Sequence, residues 1–168
     1  TSNSNISITN LDIYGTKEVT GGSGENKKTT CQNARLARGS TFTPDKMNIQ
    51  NIEVGLLSKV LIEKSPKDLQ IGKFIIDYNR TQVSSIPTPI LFSKILPDLS
   101  NTHLEMKTVS ADSQLQAEEK YKLAEFNFPD DKENSKTQCE HLKGHYDSGG
   151  KTGFNEKPEC IETESGYN

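Results

Sequence analysis

Residues 47–63 read MNIQNIEVGLLSKVLIE, and the fold turns on whether they form one helix or two strands. Ile49, Ile52, Leu56 and Val60 recur at helical spacing. Ile52, Val54 and Leu56 also alternate, as do Val60 and Ile62. Gly55 weakens a helix through its backbone freedom, and β-branched side chains sit better on a pleated strand than against a helical turn. The balance favours two strands.

Strand patterns continue on both sides. DLQIGKFIIDY (68–78) carries Leu69, Ile71, Phe74, Ile76 and Tyr78, with Gly72 as a bulge point. QVSSIPTPILFSKIL (82–96) holds Pro87 and Pro89, which exclude a helix interior and suit an edge strand or an extended connector. HLEMKTV (103–109) alternates through Leu104 and Met106, and EKYKLAEFNF (119–128) offers Tyr121, Leu123, Phe126 and Phe128. At the other end, TSNSNISITNLDIY (1–14) opens as a strand whose alternation slips by one residue between Ile8 and Leu11. Residues 15–30 are polar and Gly-rich, without the spacing of a phosphate-binding loop, and read as a surface loop. Residues 31–46 are mixed, with Arg35 and Arg38 near Cys31. No internal repeat stands out on this reading.

Short strands separated by turn signals predict an all-β fold, an antiparallel sandwich or a jelly-roll-like domain. The expected division is a β-sandwich body over 1–128, then a polar linker and a stapled loop over 129–168. PDDKENSKTQ (129–138) has almost nothing to bury, and Gly144 with its polar setting argues against a stable helix.

Composition narrows the class. The chain has 168 residues, 31% hydrophobic, and a formal net charge of -3. This near-balance supplies no large basic face for nucleic acid. No run reaches the roughly 20 apolar residues that span a bilayer as a helix. The absence of an initiator Met and of a signal peptide suits a processed or trimmed chain. G-x-S-x-G, H-E-x-x-H and H-R-D motifs are absent, and Asp130/Asp131 and Glu118/Glu119 lie in polar runs that read as solvated faces. The expectation is a non-catalytic protein with no cofactor and no resident metal.

The densest chemistry is CEHLKGHYDSGGKTGFNEKPEC (139–160), which holds two of the three histidines between two of the three cysteines. A zinc site would draw on Cys139, His141, His145 and Cys160, the less favoured alternative of a metal-dependent enzyme, but a second close ligand pair is missing. A redox pair normally has closer cysteines. A structural disulfide between Cys139 and Cys160 suits a Gly-rich loop that cannot build a core, and leaves Cys31 unpaired within the chain. It implies an oxidising compartment, hence a secreted or cell-surface location.

CEHLKGHYD with its closing Cys resembles the C-terminal module of bacterial surface-fibre and pilus-tip proteins, such as shufflon-type minor pilins. Leu142, Gly144, Tyr146 and Asp147 stand at matching places, whereas Lys143 replaces a usual Gly and the loop is longer. The resemblance covers this loop alone. The body opens on a strand where a pilin has a long helix, so a β-rich tip of a secreted or homotrimeric bacterial fibre fits the chain better. The resemblance implies surface display: an adhesin or fibre tip acting in cell adhesion on a host- or prey-surface ligand, with a structural subunit lacking any ligand as the alternative. For carbohydrate binding, aromatic rings stack on sugars and Asp or Asn bind hydroxyls. The candidate ligand-binding residues are therefore His145, Tyr146, Asp147, Phe154 and Asn155. Tyr146 and Phe154 could instead pin the loop to the body.

Overall fold

The computed structural model describes residues 5–22, 28–55, 57–64, 67–77, 88–107, 122–147 and 158–168. The chain alternates between two facing sheets. β1 (Ile6–Ile13), β3 (Thr29–Leu36), β5 (Asn48–Val54), β7 (Gln70–Ile76), β9 (His103–Met106) and β11 (Tyr146–Asp147) form one sheet in that order, all parallel. β2 (Thr16–Thr20), β4 (Thr41–Asp45), β6 (Lys59–Ile62), β8 (Ile90–Ser93) and β10 (Ala124–Asn127) line the other, also parallel. Each turn of the chain adds one strand to each sheet, which makes a coil of stacked turns. β12 (Glu162–Thr163) and β13 (Gly166–Tyr167) close the second sheet in antiparallel fashion against β10.

This corrects the all-β antiparallel sandwich or jelly roll: the sheets are built mostly of parallel strands, and a helix over Lys132–Gly144 makes the fold mixed α/β. Period-2 alternation is the same in parallel and antiparallel strands, so it does not report strand direction. The two-strand reading of 47–63 stands, as β5 and β6. Three further expectations change. β2 lies inside the stretch read as a loop; it is an edge strand with only Val19 half-buried, so it lacks a hydrophobic signature. The polar stretch after Phe128 begins a helix, α1 (Lys132–Gly144). An internal repeat exists after all.

That repeat is the hydrophobic code of the coil. Aligned by backbone register, the six-residue units ITNLDI (8–13), CQNARL (31–36), IQNIEV (49–54) and IGKFII (71–76) stack on one another. Positions one, four and six of each unit face inward. Ile8, Cys31, Ile49 and Ile71 form one row; Leu11, Ala34, Ile52, Phe74, Leu104 and Tyr146 form the next; Ile13, Leu36, Val54, Ile76 and Met106 form the third. The slip seen between Ile8 and Leu11 therefore recurs in every one of these units. Its period of about 20 residues is that of a solenoid turn. In the facing sheet, Phe42, Val60, Ile90 and Ala124 make one row and Ile62, Phe92, Phe126 and Tyr167 another. These rows fill the space between the sheets and are almost wholly buried.

Polar ladders hold the corner where the chain crosses between sheets. Ser40 Oγ donates to the Ile13 carbonyl at 3.1 Å and accepts from the Gly15 amide at 3.2 Å. Ser58 Oγ accepts from the Ser40 amide at 3.1 Å and donates to the Ala37 carbonyl. Both serines are buried, so these bonds satisfy backbone groups that a sharp corner would strand away from water.

α1 covers one end of the coil. Asp131 caps it by accepting from the Asn134 amide at 3.3 Å. Ser135, Gln138, Cys139 and Leu142 form its buried face at helical spacing. Gln138 Oε1 accepts from the Leu99 amide at 2.7 Å, which ties α1 to the segment before β9. Cys139 is bonded to Cys160, joining α1 to the chain leading into β12. The expected disulfide is thus present, and it clamps a helix rather than a free loop. Cys31 is a free thiol, buried in the first inward row. Burial pushes its pKa up, which keeps it protonated and unreactive.

Candidate functional site

The outer face of the six-stranded sheet carries two regular rows. In the first, Asn10, Asn33, Asn51, Lys73 and His103 stand in register on successive strands. In the second stand Asp12, Arg35, Glu53, Ile75, Glu105 and Asp147. Parallel pairing repeats each backbone position about every 4.8 Å, so like side chains form ladders. Asn51 Nδ2 donates to Asn33 Oδ1 at 3.1 Å, which orients both carboxamides. Acidic and basic side chains in and beside these rows pair across strands. Arg35 Nε lies 3.4 Å from Glu53 Oε2, Lys107 Nζ bonds Glu53 Oε1, and Lys73 Nζ lies 3.1 Å from Glu105 Oε2. These exposed pairs contribute little to stability individually, but they fix the side chains that border the asparagines.

An open groove of about 370 Å³ runs over this face, lined by Asn10, Asn33, Arg35, Asn51, Glu53 and Ile75. It offers donors and acceptors from the carboxamides, one charge of each sign and one apolar side chain. The sequence reading missed it. The signal was present as Asn at the third position of ITNLDI, CQNARL and IQNIEV, visible only once the repeat is aligned.

Three of the five residues singled out from the sequence, His145, Tyr146 and Asp147, fall at the far end of the same sheet. The ring of His145 packs on that of His103, with centroids 4.6 Å apart. Its Nε2 lies 2.8 Å from the Ser100 carbonyl; a carbonyl only accepts, so this nitrogen carries the proton. Asp147 joins the outward row beside Glu105. Tyr146 instead continues the inward row after Leu104 and packs against the core. Burial, and secondarily the charge of Asp147, raises its pKa. Tyr146 also borders a second hollow, of about 310 Å³, with Glu140, Lys143 and Gly144. Phe154 and Asn155 lie outside the described residues. The zinc alternative loses two of its four ligands, because Cys139 and Cys160 are bonded to each other. Among the described residues no group of three His, Cys, Asp or Glu side chains could hold a metal ion.

Tyr146 and Asp147 are therefore separable by substitution. Tyr146→Ala is expected to lower stability by about 2 kcal/mol, as loss of a half-buried ring does, and by more than Asp147→Ala, whose side chain is exposed. Thermal unfolding of the two variants checks this. Equal melting temperatures would show that Tyr146 does not hold the end of the core.

No protein-family model, curated protein or solved structure matches this chain. Among the described residues, no helix is long and apolar enough to cross a membrane. The disulfide fits an oxidising environment.

Proposed function

We propose that the protein is an exported, non-catalytic surface-binding protein of the adhesin or fibre-tip kind, and that it holds a glycan along the outer face of its six-stranded sheet. The observation that carries this reading is the asparagine ladder of Asn10, Asn33 and Asn51 facing an open groove. A carboxamide both donates and accepts, as a sugar hydroxyl pair requires. The strand-to-strand spacing is comparable with the length of one pyranose unit, so successive asparagines can meet successive sugars. Ile75 supplies an apolar patch for the C–H face of a ring. The likeness of residues 139–160 to pilus-tip modules supports surface display, and His145 and Asp147 extend the same face toward α1.

A glycan array tests this, followed by titration of the best binder against Asn33→Ala and Asn51→Ala. Each variant is expected to weaken binding roughly tenfold, from lost hydrogen bonds, with little change in melting temperature. The reading fails if no glycan binds, or if a bound glycan is indifferent to both asparagines. Tighter dependence on Asp147 than on either asparagine would move the site to the α1 end of the sheet.

A further inference from the structure

The two ends of the coil differ. One is covered by α1 and the β12–β13 hairpin. At the other, β1 pairs only with β3 and β2 only with β4 among the described residues, so each has an open edge. Two of the three large hydrophobic side chains exposed among the described residues belong to this end: Ile6, 50% exposed, on β1, and Tyr14, 67% exposed, directly after it. Ile8 and Leu11 are only partly buried there, whereas the side chains in register with them on β3, Cys31 and Ala34, are fully buried. An open, apolar strand edge is a template for pairing with another strand.

The sequence of β1 says which strand. Its inward positions are 6, 8, 11 and 13, the result of the slip in alternation, and all four are Ile or Leu. This pattern is symmetric about the Thr9–Asn10 bond. If a second β1 runs antiparallel about that point, Ile8 faces Leu11 of the second copy and Ile6 faces its Ile13, with the same pairs repeated by the two-fold axis. The outward positions match as well: Thr9 meets Asn10, and Ser7 meets Asp12. No like charges meet. A strand of ordinary period-2 alternation does not give this inward-to-inward match about a bond centre; the slip does. An edge that is complementary to itself is the signature of an isologous, two-fold interface.

We propose that two copies of the chain join through their β1 edges, antiparallel, to make one continuous sheet of twelve strands from the two six-stranded sheets. The dimer covers Ile6 and completes the packing of Ile8 and Leu11. It also sets the two asparagine ladders end to end, because Asn10 of each copy lies beside Thr9 of the other. The inference stands on the edge alone and is independent of whether the outer face binds a glycan.

Charge at Ser7 tests it, because that exposed side chain points away from the core and faces Asp12 only across the two-fold axis. Sedimentation velocity of the 168-residue chain is run at protein concentrations up to roughly 100 µM, with Ser7→Asp and Ser7→Lys alongside. The wild-type chain is expected to dimerise. Ser7→Asp sets two like-charge pairs across the axis and weakens the dimer roughly tenfold, whereas Ser7→Lys matches or exceeds the wild type. Circular dichroism of both variants confirms that the fold is retained. A chain that stays monomeric throughout, whether because the edge stands alone or because another segment of the chain covers it, overturns the proposal. So does a dimer that responds to neither substitution, since it then forms through another surface.

Discussion

Phe92→Ala is expected to cost about 3–5 kcal/mol, the range for removing a large aromatic ring from a packed core. Phe92 is fully buried on β8, between β6 and β10. Its ring stacks on Phe126 at 4.7 Å and 13°, and meets Phe74 of the facing sheet edge-on at 6.4 Å and 89°. It is thus one of the buried contacts that join the two sheets, and both geometries are favourable for aromatic pairs. Truncation leaves a void that rigid strands on both sides cannot collapse into. Phe92→Leu, which keeps most of the volume, is expected to cost less than half as much. Chemical denaturation of the two variants gives the comparison. A loss below about 1 kcal/mol for Phe92→Ala would contradict the placement of this ring at the centre of the core.

Removing the disulfide, as Cys139→Ser with Cys160→Ser or by reduction, is expected to cost roughly 3 kcal/mol in the chain-entropy model. The bond closes a sequence separation of 21 residues. In a chain of this length that corresponds to a fall in melting temperature of about 10 °C. The damage should be uneven. In a coil each turn touches mainly its neighbours, so stability is distributed along the axis. The bond clamps α1 to the chain entering β12, at one end only. Hydrogen exchange in the reduced protein should therefore rise in α1 and β11–β13 first, while β3–β8 keep their protection. Uniform loss across all strands would mean that the clamp holds the whole fold and not its cap.

Much of the local structure was legible. β5 and β6 follow from the β-branched run of 47–63, and β7 and β9 from the alternation around Phe74 and Leu104. The Cys139–Cys160 bond followed from an odd cysteine count and a loop too polar to hold itself. α1 was missed because three of its four buried positions are Ser135, Gln138 and Cys139, whose burial depends on hydrogen bonds and a disulfide instead of large apolar side chains. β2 was missed because an edge strand with solvent on most sides has no apolar periodicity to show. The candidate site was half visible. His145, Tyr146 and Asp147 do sit on one strand end of the proposed binding sheet, but Tyr146 turns inward, and the asparagine ladder went unnoticed.

The residues alone show that the chain is rich in short strands, which side chains pack inward in β5, β6, β7 and β9, and that its last segment is held by a disulfide, whereas β3 and β4 with Ala34, Leu36 and Phe42 were left unassigned. These follow from side-chain volume, branching and cysteine spacing, which act locally. That the strands run parallel, that they alternate between two sheets, and that Asn10, Asn33 and Asn51 come into line emerges only in the folded chain. Strand direction depends on the route the chain takes between strands. The inward and outward pattern of a strand is the same whichever way its neighbour runs, so that route is written in no single stretch of residues.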